Sequence, residues 1–199
     1  MVEMVDALPV VMPADHVPGV PQGAWTYMQY AELPDDGRRY EVIDGVLFMA
    51  PAPAIDHQTT SSRLVGYLMQ HVEFAGQGRV FHAPCDVELA PDVVVQPDVL
   101  VVLNANLEVI TPSRLVGAPD MVIEIASPST AAYDRRAKQD AYAHGGVPEY
   151  WVADPATRTV EVMTLEQGAY RVVGVYQNQA LLPSRVLPGL PVRVAQFFS

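Results

Sequence analysis

Two acids stand where acids are costly. Asp98 precedes the run Val99-Leu100-Val101-Val102-Leu103, and Glu124 sits inside Met121-Val122-Ile123-Glu124-Ile125-Ala126. Both runs are apolar at successive rather than alternate positions, the pattern of short strands covered on both faces. A lone carboxylate in such surroundings is driven to take a proton, because desolvation disfavours its charged form. A cation, a metal ion or an opening to solvent at the end of the sheet must offset that cost. If the compensation is a divalent ion, a pair of carboxylates suits Mg²⁺, with Mn²⁺ as a substitute, since such ions take one or two carboxylates and keep several waters. An ion so held neutralises charge on a bound oxyanion or makes a water nucleophilic.

The surrounding elements must bring these groups together. Ser127-Pro128-Ser129-Thr130 stops the Glu124 strand and offers a helix cap. A helix is predicted from about Ala131 to His144, ended by Gly145-Gly146 with Pro148 beyond. Asp134 and Lys138 lie four apart on it, sharing a face with Ala131, Ala141 and Tyr142. They form either a solvated pair contributing about 0.3–0.5 kcal/mol or part of a site in which Lys138 meets Glu124. Pro148 to Pro155 reads as the next buried strand, so strand, helix and strand make a right-handed crossover between parallel strands.

Upstream, a short helical pattern covers Thr26 to Leu33. The runs Arg39–Ile43 and Val46–Met49 flank Asp44-Gly45, a strong hairpin signal. Alternation puts Tyr40 and Val42 on one face and Glu41 and Ile43 on the other. A helix from about Ile55 to Ala75 carries the stripe Leu64, Val65, Leu68, Met69 and Val72. His57 lies in its first turn, where it bonds backbone or solvent, or meets a phosphate at the positive helix end. Arg79–His82 and Asp86–Leu89 read as a pair of strands around Pro84. Residues 104–118 read as a surface loop with a helical turn near Pro112. Thr159–Met163 and Tyr170–Val175 read as a meander, after which Phe197 and Phe198 fold back on the core. No His or Cys spacing suggests zinc.

The 199 residues suffice for one sizeable core, and 50% hydrophobic with 18% charged residues is a compact composition. Residues 1–23 are proline-rich and without periodicity, an extended leader to a single domain over residues 24–199. No apolar run approaches the ~20 residues that span a bilayer. One cysteine, Cys85, suits a reducing cytoplasm and reads as buried filler rather than nucleophile. A balance of 12 basic to 23 acidic residues, net −11, opposes binding nucleic acid by charge alone. It leaves room for a smaller phosphoester as substrate, or for a fold that binds without cutting.

Pro97-Asp98, Pro119-Asp120-Met121-Val122-Ile123-Glu124-Ile125-Ala126-Ser127-Pro128-Ser129-Thr130, then Asp134, Lys138, Tyr142 and Gly146-Val147-Pro148-Glu149-Tyr150-Trp151 form a pattern. Together they resemble the Uma-two family of putative restriction endonucleases, a bacterial branch of the PD-(D/E)XK nuclease superfamily. The resemblance spans Thr26 to Leu165. It implies an α/β fold, a restriction-endonuclease-like mixed sheet flanked by helices, with the strands of Glu41, Asp98 and Glu124 as neighbours. It further implies a Mg²⁺-dependent endonuclease acting on DNA as a homodimer. The superfamily places a lysine two residues after the glutamate, where this chain has Ala126, and the resemblance implies that Lys138 has taken over from the helix. Asp98, Glu124, Lys138 and Glu41 are then the catalytic candidates, Asp98, Glu124 and Ile125 the metal ligands, and His57 and Asp134 the substrate contacts.

Overall fold

The structure, a computed structural model, describes residues 12–50, 52–127 and 132–198, with residues 132–135 described by their backbone alone. A two-residue strand β1 (Met12–Pro13) and a short helix α1 (Tyr27–Tyr30) precede the hairpin of β2 (Arg39–Ile43) and β3 (Val46–Ala50). At its turn Asp44 and Gly45 take φ of 51° and 72°, the left-handed pair that a type I′ turn requires. Helix α2 (Ile55–Leu68) continues as a π-helical segment, Met69–Glu73. Then come β4 (Gly78–His82), β5 (Val87–Ala90), β6 (Val93–Val95) and β7 (Val99–Leu103). The stretch expected as a loop holds a 3-10 helix, Asn104–Val109, and β8 (Leu115–Val116). The crossover is built from β9 (Met121–Ile125), α3 (Ala132–Gly145) and β10 (Glu149–Asp154). The meander follows as β11 (Thr159–Glu166) and β12 (Ala169–Gln177), and a 3-10 turn, Val194–Phe197, ends the chain.

The strands form two six-stranded sheets, β1-β3-β2-β6-β5-β8 and β12-β11-β10-β9-β7-β4. As the crossover demands, β9 and β10 run parallel, with Glu124 beside Val152. Next to them β7 and β9 run antiparallel, Val99 opposite Ile123. One expectation needs correction. The strand of Glu41 is not a neighbour of the other two: β2 lies in the first sheet, paired to β6 through Val42 and Val94. The two strands expected around Pro84 are both present, β4 joined to β7 and β5 to β6. Proline accounts for both changes of sheet. Pro97 between β6 and β7, and Pro84 between β4 and β5, have no N–H for a ladder, so the chain leaves one sheet there and enters the other.

The successive apolar residues of β7 and β9 are explained by a core on each face. Val99, Val101, Met121 and Ile123 meet Leu64, Leu68 and Val72 of the long helical segment, with Phe197 closing the layer. Leu100, Val102 and Val122 meet Ala141 and Tyr142 of α3, together with Ile43, Val87 and Val95 from the first sheet. Each such side chain, fully buried, contributes roughly 1.5–3 kcal/mol. The two helices therefore pack on opposite faces of the second sheet. A buried carboxylate fastens the C-terminal segment: Glu149 accepts hydrogen bonds from Trp151 Nε1 (2.7 Å), Ser184 Oγ (2.6 Å), and the backbone N–H groups of Arg185 (2.7 Å) and Val186 (3.2 Å).

Residues 1–11 of the expected leader lie outside the described residues. Residues 12–23 run along the sheet edge, Met12 opposite Met49, with Ala14 buried and Gln22 Oε1 accepting from Leu47 N at 2.8 Å. Among the described residues no helix is long and apolar enough to cross a membrane.

Candidate active site

Asp98 stands just before β7, and carrying the β7–β9 register back one residue sets it opposite Glu124. Its Oδ2 accepts the Ile125 N–H at 2.8 Å and the His57 Nε2–H at 3.0 Å. His57 reaches it from the first turn of α2, and both side chains are almost buried, 11% and 8% exposed. Burial alone would raise the Asp98 carboxyl. The His57 hydrogen bond and charge, the Lys138 ammonium and the Ile125 N–H outweigh it and hold the group below its ordinary value. His57 Nδ1 is buried with no hydrogen-bond partner among the described residues.

Glu124 is met from α3. Its Oε1 accepts the Tyr142 hydroxyl at 2.5 Å and the Lys138 ammonium at 3.1 Å. The same Lys138 Nζ lies 2.9 Å from Glu41 Oε1, which also accepts the Gln96 N–H at 2.7 Å. Lys138 thus bridges an acid of the first sheet and an acid of the second. Burial pushes the Glu124 carboxyl up to about 8, helped by the charges of Asp98 and Glu41 and opposed by Lys138 and Tyr142. Burial and the same two glutamates also hold the Tyr142 phenol well above its ordinary value.

Gln96, two residues before Asp98, ties this cluster to its surroundings. Its side-chain amide donates to Asp86 Oδ1 at 2.8 Å and to Tyr30 Oη at 3.0 Å, and the Tyr30 hydroxyl donates to Asp86 at 2.7 Å. Burial, then Asp86, raises the Tyr30 phenol above its ordinary range. Arg39 donates to the side chain and the backbone carbonyl of Gln96. A cleft of about 520 Å³ opens on Asp98, walled by α2 on one side and by residues 82–84 on the other.

The structure therefore brings together Glu41, His57, Asp98, Glu124, Lys138 and the backbone of Ile125. Glu41 faces Lys138 rather than an open ligand position. The Asp134 side chain lies outside the described residues. Cys85 is a half-buried thiol that burial and the Asp86 charge push up, as suits filler. Three contributors went unassigned in the sequence. Tyr142 announces itself by lying one helical turn past Lys138, and Arg39 by its place two residues before Glu41 on one strand face. Gln96 carries no local signal.

A mixed, helix-flanked sheet with acids at the β7–β9 junction defines a restriction-endonuclease-like fold. The chain belongs to the Uma2 family, described as "Putative restriction endonuclease", which matches residues 27–195. Among solved structures it is similar to one described as a putative nuclease belonging to DUF820 from Anabaena variabilis ATCC 29413. That likeness has a TM-score of 0.70 and 22% identity, and covers 87% of this chain and 97% of the other. Comparison with curated proteins gives no match.

Proposed function

We propose that this protein is a Mg²⁺-dependent endonuclease, with Mn²⁺ as a substitute ion, that hydrolyses phosphodiester bonds of DNA and acts in the cytoplasm as a homodimer. The observation that carries the reading is the pairing of Asp98 and Glu124 on adjacent strand ends. Each spends one oxygen on protein donors, while Asp98 Oδ1 and Glu124 Oε2 accept no hydrogen bond among the described residues. No group of three or more His, Cys, Asp or Glu side chains gathers to hold an ion among the described residues. Two carboxylates and a carbonyl are nevertheless the sparse oxygen set that suits an ion retaining its waters. The electrostatics fit as well: Lys138 serves both Glu41 and Glu124, and burial, with the charges of Asp98 and Glu41 added, raises the Glu124 carboxyl.

Asp98 and Glu124 would hold the ion. The Ile125 N–H points at Asp98, and a strand residue's N–H and C=O leave on the same edge, so its carbonyl is available on that side. When bound, a divalent ion neutralises the phosphate and favours ionisation of water. His57 fixes Asp98 by one oxygen. Glu41 and Tyr142 hold Lys138 and Glu124 in register, and Lys138 orients the attacking water and counters charge developing on the phosphoryl oxygens.

One observation favours a second reading, a nuclease fold that only binds: each acid already has a protein partner. Calorimetry with MnCl₂ and a supercoiled-plasmid nicking assay separate the two. Expected are a binding heat that Glu124→Gln abolishes and nicked circles formed only with Mg²⁺ or Mn²⁺. Neither heat nor nicking at millimolar ion would leave the binding-only fold. Turnover of a small chromogenic phosphodiester with the plasmid intact would point to a smaller substrate.

The dimer is supported by β12, at the rim of the second sheet, whose Val172 and Val175 are 51% and 61% exposed. An unpaired apolar edge of that kind is a template for a second copy. Sedimentation should give twice the chain mass, and a monomer at high micromolar concentration would overturn it.

A further inference from the structure

The cleft that opens on Asp98 holds an arginine without an acid. Arg38, Arg79, Arg114, Arg171 and Arg185 each pair with a carboxylate between 2.5 and 3.7 Å away. Arg39, half-buried on the cleft wall, bonds only to neutral groups among the described residues. Its Nε donates to Gln96 Oε1 at 3.2 Å and its Nη2 to the Gln96 carbonyl at 3.1 Å. Arg63, Arg136, Arg158 and Arg193 also have no carboxylate partner among the described residues, but Arg39 is the arginine that lines this cleft beside Asp98. Gln96 is itself buried and clamped by Asp86, Tyr30 and Glu41. The guanidinium therefore rests on a rigid platform by one edge, with Nη1 bonded to nothing described.

A fixed guanidinium, partly stripped of water and lacking a counter-ion, is a receptor for a planar or tetrahedral oxyanion. The rest of the cleft agrees. Gln58, Ser61 and Ser62 from α2, with His82 across from them, offer side chains of the kind that bond phosphate and sugar oxygens. We propose that Arg39 is the backbone clamp of this cleft, binding a phosphate of a nucleic-acid strand next to the phosphodiester presented to Asp98. The choice of a nucleic-acid strand rests on the endonuclease reading, but binding at Arg39 requires neither metal nor turnover. As a phosphate contact it fixes the strand's register and carries no sequence preference.

The test is fluorescence anisotropy of short labelled single-stranded DNA, and of the same sequence as RNA, titrated in EDTA over a range of salt. Wild type is compared with Arg39→Gln, Arg39→Lys and Arg171→Gln, the last a remote loss of the same charge. Melting curves show that each variant is folded. Arg39→Gln should weaken binding at least ~10-fold for every sequence and reduce the slope of log K on log salt by about 0.7. Arg39→Lys should keep most of the slope while losing affinity, because a point charge cannot reproduce the fork. Arg171→Gln should change neither. If Arg39→Gln does not fold, Arg39→Lys decides by its affinity.

Unchanged affinity and slope in folded Arg39→Gln overturns the clamp, even where plasmid cutting continues and the endonuclease reading stands. Weakened binding in a protein that never cuts upholds the clamp and defeats that reading. A wild type that binds neither DNA nor RNA overturns the clamp outright.

Discussion

Lys138→Met should lower nuclease activity at least ~100-fold, the lower end for losing a positioned acid–base group, and should also lower the unfolding free energy by roughly 3–5 kcal/mol. The sequence alone predicts the first effect without the second, with the fold nearly intact. The geometry adds the second. Lys138 is 12% exposed, 2.9 Å from Glu41 and 3.1 Å from Glu124, so its removal leaves two buried carboxylates facing each other. Breaking a buried pair from one side costs more than the pair contributes, because the remaining charge has no partner. The double variant Lys138→Met/Glu124→Gln should therefore regain much of the stability and none of the activity. Urea denaturation beside the plasmid assay reads both. A Lys138→Met protein as stable as wild type would remove the clasp, and one that cuts at the wild-type rate would remove the chemistry.

Raising the pH from about 4.5 to 8 should weaken the metal-free fold while strengthening its hold on a divalent ion. Glu124 has an ordinary value of 4.5 and a folded value of about 8. Folding thus favours its protonated form: the stabilisation is complete below about pH 4.5 and is lost as pH rises through about 8. Asp98 works in the opposite sense. Its folded value lies below 3.8, so its contribution is present above that pH and disappears on further acidification. An ion bound at Glu124 must displace the proton, so affinity rises over the same span and protons are released. Urea midpoints across the window and calorimetry in buffers of different ionisation heat measure the two effects. Glu124→Gln should flatten both, and a wild type with constant stability from pH 5 to about 8 would contradict the assignment.

The segment from Met121 to Asp154 is legible in the sequence because its signals are local. Successive apolar residues announce strands with two covered faces, the Gly145-Gly146 stop bounds α3, and a four-residue spacing brings Lys138 and Tyr142 to one side. The division into two sheets is not legible. Hydrophobic alternation tells which face of a strand is buried and is silent on which sheet it joins, so nothing local corrects the single sheet that the resemblance implies for Glu41, Asp98 and Glu124. Pro84 and Pro97 hold the missing information, but only once the ladders on either side are known. Arg39 and Gln96 lie deeper still: their partnership joins residues 57 apart and depends on the hairpin and β6 meeting. The lysine at the site is the intermediate case, readable as a helix position whose reach only tertiary packing decides.

Lys138 ties the first sheet to the second through one ammonium, and this bears on how such a site is inherited. Selection for folding alone acts to keep Lys138 beside Glu41 and Glu124, since losing the lysine leaves buried carboxylates without a cation. A lineage that ceased to cut would still carry the trio for as long as it carried the fold. Its first departures would fall on groups that hold nothing up, such as the Arg39 guanidinium and the α2 hydroxyls of the cleft. Decay of the function would begin at the rim, with the centre preserved as architecture.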